Sequence, residues 1–330
     1  MSETNSSYPY ASARIKASES ALITRDKLNR IIEAKDFDTA SRLLSELGYG
    51  HQQASGGFED MIAAELETAD ALIESISPSD LFLRIVRAGR DYHNIKVLIK
   101  LFMQDKNLEE VELTPGNIPV ETLRRAISEN NYYELPDTMK AAFGYIDKQF
   151  AIAMDASIIG VAMDRAYAKQ VTALVGEMND ALVTKYYTAY FDFANIIAFF
   201  RVRASGHTRE SFEVAYVRGG SISKRDFSDA FDLADESIAS ALFKGDYAQI
   251  LGPAFDEYQK NGRLYMMEKA RDDYLLGLLK KERHDMFGIA PLMAFYIGKQ
   301  REAAAVRMVM TAKLGGIDAE VVQQRVKELY

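Results

Sequence analysis

One short pattern, met three times, constrains this chain more than anything else in it. Asp91 and Asn94 stand one helical turn apart and are followed by the apolar run Ile95–Ile99. Asp192 and Asn195 repeat the pair, followed by Ile196–Phe200. A third copy starts at Glu302 and keeps the apolar run Val306–Met310, but Ala305 stands where the other two have Asn. The acids are 101 and 110 residues apart (91 to 192, 192 to 302). That period exceeds the ~20–50 residues of ordinary solenoid repeats.

A second pattern alternates with the first. It is an apolar residue followed five positions later by another: Ile23 and Leu28, Ile118 and Leu123, Ile222 and Phe227, Ile317 and Val322. The order is short element, long apolar helix, three times over, with a fourth short element closing the chain. Two patterns in fixed alternation point to one helical unit repeated. The predicted units are residues 1–115 (the repeat starting near 21), 116–219, and 220–330 with a terminal helix. Three such units suit an approximate threefold axis.

The periodicity is helical throughout. Met61, Ile62, Leu66, Ala69, Leu72, Ile73 and Ile76 recur in steps of three or four. Leu81, Ile85, Val86, Tyr92, Ile95 and Leu98 do the same. Residues 137–252 contain no proline. Period-two alternation is absent apart from a short stretch at Glu213–Val217. Ser77–Asp80 stops one helix and caps the next, and Pro136 and Pro291 suit first helical turns. Gly48–Gly50, Gly56–Gly57, Gly219–Gly220 and Gly315–Gly316 mark helix exits. An all-α fold follows, with long helices predicted over 81–103, 181–203 and 292–313.

Composition narrows the chemistry. The net charge of −8 argues against binding dominated by nucleic-acid phosphates. With no cysteine, disulfides, thiolate catalysis and Cys-ligated metals are excluded. The longest stretch without Asp, Glu, Lys or Arg is Met286–Gly298, too short for a spanning helix of about 20 residues and broken by Pro291. The N-terminus is polar, without the apolar core of a signal peptide. A cytoplasmic soluble protein is expected.

Catalytic motifs are weak. Arg271-Asp272-Asp273 begins like a diphosphate-metal motif but lacks its last Asp, so a solvated helix face is expected. None of the four histidines, His51, His93, His207 and His284, has Glu three residues before it, as a di-iron bundle requires. Phosphate-loop, dinucleotide and nucleophile-elbow motifs are missing. Gly219-Gly220-Ser221 is a loop able to hold an anion. No catalytic, cofactor or metal residue is assigned. The repeated polar positions Asp91, Asn94, Asp192, Asn195 and Glu302 are read as structural braces. They would tie each long helix to a neighbouring backbone, or to an arginine such as Arg84 or Arg87, because buried polar groups must be hydrogen-bonded.

Several segments, in order along nearly the whole chain, carry a family resemblance. They are Tyr10–Thr24, the Asp91–Asn94 and Asp192–Asn195 pairs, and a tail running from Pro291–Glu302 through Val306–Met308 to Lys313–Ile317. Together they resemble the C subunit of archaeal-type and bacterial V-type ATPases, the counterpart of the eukaryotic V-ATPase d subunit. Ala305 departs from the pattern. The resemblance implies a non-catalytic, cofactor-free rotor part shaped as a funnel of three helical units. Its wide end would receive the foot of the central stalk, formed by the D and F subunits. Its narrow end would rest on the cytoplasmic face of the membrane proteolipid c/K ring, so that the chain transmits torque for ATP-coupled H+ or Na+ transport. The isolated protein would be monomeric.

Two other readings stand beside it. One is a helical adaptor without a motor role. The other is a metal-dependent helical enzyme using Asp91, Asp192 and Glu302 together.

Overall fold

A computed structural model describes residues 7–50, 57–152 and 155–330. Residues 1–6, His51 and Gly56, touched on by the expectations above, lie outside them. Among the described residues the fold is all-α, with sixteen α-helices, two short 3-10 turns and no strand.

The chain divides into two compact units, one of them discontinuous. The first unites residues 1–78 with 268–330. Its helices are α1 (Tyr8–Ser18), α2 (Arg25–Ile32), α3 (Phe37–Glu46) and α4 (Phe58–Ile76). The second unit, residues 79–267, begins with the long helix α5 (Asp80–Phe102). There follow α6 (Val120–Ser128), α7 (Asp137–Phe150), α8 (Ser157–Met178) and the long α9 (Ala181–Ala204). It ends with α10 (Arg209–Ala215), α11 (Lys224–Ala230), α12 (Asp235–Leu242) and α13 (Asp246–Asn261). The chain then returns to the first unit through α14 (Tyr265–Glu282), the long α15 (Ala290–Leu314) and α16 (Ala319–Arg325).

The three long helices fall where periodicity placed them, with Met103 as the C-cap of α5 rather than its last turn. Local chemistry sets their starts. Ser79 accepts from the Phe82 N–H at 3.3 Å to cap α5, and Asp180 accepts from the Val183 N–H at 2.9 Å to cap α9. Pro291 occupies the first turn of α15, where its missing N–H costs nothing. Each long helix is too apolar to be solvated. In the first unit α15 packs against α1, α2, α3 and α4, and sixteen of its residues are buried. In the second unit α5 packs on α6 and α8, and α7 on α8. Around α9 lies an aromatic cluster in which Phe199 meets Phe200, Phe212, Phe227 and Phe231 at centroid distances of 5.3–5.7 Å.

The expected interruption at Glu213–Val217 is not a strand. Residues to Ala215 finish α10, and the chain then runs extended through Tyr216 and Val217.

The second sequence pattern acquires a physical meaning. Ile23, Ile118, Ile222 and Ile317 each sit one residue before the N-cap of a short helix, α2, α6, α11 and α16. Leu28, Leu123, Phe227 and Val322 are the fourth residues of those helices. These are the two positions of a hydrophobic staple, which fixes the angle at which a chain enters a helix. The inner staple residues are all buried.

Leu123→Ala should cost about 2–5 kcal/mol, because its fully buried side chain leaves a cavity. Gly144→Ala, in the exposed interior of α7 with open space around a new Cβ, should instead stabilise by about 0.5–1 kcal/mol. Urea unfolding of both variants checks the opposite signs.

Candidate functional site

The repeated acids all lie inside the protein. Asp91 is 1 %, Asp192 0 % and Glu302 2 % exposed. An ionised carboxylate in such a place must be offset by hydrogen bonds. Each acid finds them in the same kind of partner, the loop that leads into a short helix.

On α5, Asp91 Oδ1 accepts from the Ile118 N–H at 3.0 Å. Its Oδ2 accepts from the main-chain N–H and the side-chain amide of Asn117, both at 3.1 Å. One turn on, Asn94 donates to the Thr114 carbonyl at 2.9 Å. On α9, Asp192 Oδ1 accepts from the Ile222 N–H at 2.9 Å. Its Oδ2 accepts from the Ser221 hydroxyl at 2.7 Å and the Tyr247 hydroxyl at 3.0 Å. Asn195 clamps Val217 from both sides, donating to its carbonyl at 2.8 Å and accepting from its N–H at 2.9 Å. Acid and Asn together hold one extended segment against the helix.

Glu302 on α15 repeats the bond to an Ile. Its Oε2 accepts from the Ile23 N–H at 2.7 Å, across 279 residues of chain. The third copy thus reaches back to the first short element, and the staple residue Ile317 is left without an acid of this kind. Ala305 offers no amide, and a different partner has replaced it. In the first two copies the residue one turn before the acid is buried Ala88 or Ala189; in the third it is Lys299. Lys299 Nζ donates to Glu302 Oε1 at 2.8 Å and pairs with Glu65 at 2.8 Å. Tyr49 donates to the same Oε1 at 2.7 Å, and the Lys299 ammonium lies 5.1 Å from its ring centroid. The polar partner has moved from one side of the acid to the other.

Electrostatics follow burial. Desolvation raises the Asp91 carboxyl above its ordinary value, against the pull of the Ile118 and Asn117 donors. Burial works to lower the Lys299 ammonium, but Glu302 and Glu65 outweigh it and raise it. Burial, and then the charge of Glu302, raises the Tyr49 hydroxyl far above 10.0.

Glycines make the close approach possible. A Cβ on Gly116 would overlap the Asp91 carboxylate, and one on Gly220 that of Asp192. The Gly219-Gly220-Ser221 loop does hold an anion, and the anion is the side chain of Asp192. The recurring Gly-x-Ile at 116–118 and 220–222 was the sequence signal for this contact. Tyr49, which reads in the sequence as part of a glycine turn, is 2 % exposed. Arg84 contributes through its main chain, its carbonyl accepting from the Asn117 side chain at 2.9 Å.

The other sequence candidates go elsewhere. His93 and His207 are exposed. Asp272 and Asp273 do not lie on a freely solvated face. Asp272 pairs with Arg271 at 2.7 Å and Lys327 at 2.6 Å, while Asp273 pairs with Lys269 at 2.5 Å and accepts from the Glu328 N–H. Burial acts upward on the Asp272 carboxyl, but Arg271, Lys327 and Arg301 hold it low. Both acids pin the C-terminal tail to α14. Among the described residues no group of three or more His, Asp or Glu is placed to hold a metal ion.

The sequence profile of the ATP synthase (C/AC39) subunit family covers residues 11–325. The chain belongs to that family. Its relatives include the A-type ATP synthase C subunit of Methanocaldococcus jannaschii, 25% identical over 96% of this chain and 85% of the relative. The V-type sodium ATPase C subunit of Enterococcus hirae is 23% identical over 96% and 97%. The V-type ATP synthase C subunit of Thermus thermophilus is 22% identical over 93% of each chain. The family match thus spans all three buried acids.

Two outcomes test the geometry. Asp192→Leu, which strands the Ile222, Ser221 and Tyr247 donors, and Gly220→Ala, which pushes the loop off the carboxylate, should each cost about 1–3 kcal/mol in thermal or urea unfolding. The Tyr49 proton supplies a pH signature. An acid raised on folding contributes stability below its unfolded pKa and loses it above. Stability should therefore fall as the pH rises above about 10, the ordinary tyrosine value. Tyr49→Phe should cost about 1–2 kcal/mol at pH 7 and flatten part of that decline, read from urea midpoints between pH 8 and 11.

Proposed function

We propose that this chain is the non-catalytic central-rotor subunit of a V/A-type rotary ATPase. In this reading it links the D–F central stalk to the membrane proteolipid c/K ring and carries torque between ATP chemistry and H+ or Na+ movement. It would lie peripherally on the cytoplasmic face of the membrane and be monomeric when isolated. The observation that carries the reading is the family match over residues 11–325, nearly the whole chain. Two features support it. No described helix is long and apolar enough to cross a membrane, which suits a peripheral part. The buried acids are committed to loop donors rather than presented to a substrate, which favours a mechanical role over a metal-dependent enzyme using Asp91, Asp192 and Glu302.

The three-unit organisation is part of the same proposal. The division at about 115 and 219 places one long helix and one preceding short element in each unit. The acid of α5 then braces the short element of the second unit, that of α9 the third, and that of α15 the first. This head-to-tail order is what approximate threefold symmetry requires. Asp91, Asn94, Asp192, Asn195 and Glu302 act in it as braces, stiffening the part that must not yield under load.

Reconstituted vesicles test the role. Removing this chain from the assembled ATPase should leave ATP hydrolysis by the catalytic sector, while hydrolysis-driven ion uptake falls to background. Adding the purified chain back should restore uptake. Uptake at the normal rate without it would overturn the rotor assignment.

A further inference from the structure

The compact unit of residues 79–267 carries a cleft of about 590 Å³ that the buried acids do not fill. Its floor is made by alanines of α7 and α8, with Ala142, Ala162 and Ala166 buried at the bottom and exposed Ala141 and part-exposed Tyr145 and Tyr216 carrying the apolar surface above them. Such small residues between two helices leave a shallow apolar channel. Its charged lining is strongly one-sided. Arg165 and Lys169 stand one turn apart on α8, Arg218 comes from the loop before α11, and Lys224 is the first residue of α11. Glu213 is the one acid on the wall, and it pairs with Lys224 at 3.1 Å. Among the described residues no carboxylate lies within ion-pair distance of Arg165, Lys169 or Arg218, although the chain as a whole carries −8.

The Arg218 wall is also held in place. Val217 is clamped by Asn195, and Ser221 by Asp192, so the intervening loop is fixed at both ends. The Tyr216 hydroxyl closes it further by donating to the Ile222 carbonyl at 3.0 Å. Across the cleft the Arg165 guanidinium lies 5.8 Å from the Tyr145 ring centroid. Arginine and tyrosine on a preorganised surface are the residue types that anchor protein contacts.

We propose that this cleft receives an α-helix of a partner protein, with a stripe of small apolar residues facing the alanine floor and Asp or Glu flanking it. The apolar channel supplies the groove for a helix, and the cations of the two walls supply the complement for acids on either side of its stripe. A small polyanion would use the cations but leave exposed Ala141 and the part-exposed Tyr145 and Tyr216 rings uncovered. The proposal deepens the assembly reading above and rests on it for the existence of a partner.

A photo-crosslinking amino acid placed at exposed Thr172, which lines the cleft, tests it in the intact complex purified through this chain. Exposed Ser240, away from the cleft, is the control position. The expected product is a Thr172-specific crosslink to a helical peptide carrying several Asp or Glu, identified by mass spectrometry. Its yield should drop at least tenfold in Arg165→Glu/Lys169→Glu, and should fall with added salt. The milder Arg165→Gln/Lys169→Gln pair keeps the test valid if the reversal disturbs folding, which circular dichroism reports. Loss of the crosslink with sodium triphosphate, at a concentration where sodium chloride of the same ionic strength leaves it in place, would mean the cleft takes a small anion, and would overturn the proposal. So would a crosslinked segment without acids, or no crosslink while other ATPase components still co-purify. An acidic helix captured from a protein outside the ATPase would instead uphold the cleft and overturn the assembly reading.

Discussion

A buried carboxylate that accepts the N–H donors of a passing loop is the interaction on which the rest of this structure depends. Such a group is costly to desolvate, and only fixed donors offset that cost. The fold supplies them by bringing extended backbone hard against a helix. Nothing larger than hydrogen fits at Gly116 or Gly220, and nothing longer than the right loop presents Ile118 or Ile222 at about 3 Å. The contact sets both the path of the loop and the angle of the short helix after it. The staple residues then bury that helix against the core.

The third acid shares only part of its arrangement with the other two. The acid and the bond to an Ile N–H persist in all three. The amide partner does not. Where α5 and α9 have Ala before and Asn after the acid, α15 has Lys before and Ala after. Glu for Asp adds one methylene, and the lengthened carboxylate takes both the Lys299 ammonium and the Tyr49 hydroxyl on Oε1. Lys299 is balanced in turn by Glu65, so the buried cation is never unpaired. Removing Glu302 strands the Ile23 N–H and the Tyr49 hydroxyl, and removing Lys299 leaves the Glu302 carboxylate without its counter-charge. That is why a buried charged network is sensitive to truncation even where its net contribution is modest.

Much of this was legible in the residues. The period of the acids, the helical spacing around them and the five-residue step of the staples carried the helices, their order and the buried positions. They are local or periodic properties, and a sequence displays those directly. What stayed hidden were partners remote in sequence. Tyr49 reads as a turn residue between two glycines, and its partner Glu302 stands 253 residues away. The second carboxylate of Lys299, Glu65 on α4, is remote in the same way. Asp272 and Asp273 read as solvated because Lys327 and the Glu328 N–H, both more than fifty residues away, reach them only once the tail is packed on α14.

Sequence distance also explains why the third brace is the most elaborate. Asp91 meets Ile118 across 27 residues, whereas Glu302 meets Ile23 across 279. If the intervening chain were flexible, loop closure would cost about 2 kcal/mol more for the longer span, since the penalty grows as (3/2)RT ln n. The first unit has to be assembled from two segments separated by the whole of the second, and its closing contact carries that difference. A neutral amide hydrogen bond contributes about 1 kcal/mol, and charge-assisted bonds roughly twice as much. Exchanging the Asn of the first two copies for a lysine shared between two glutamates therefore places the stronger bond type where the chain has most to gain from it.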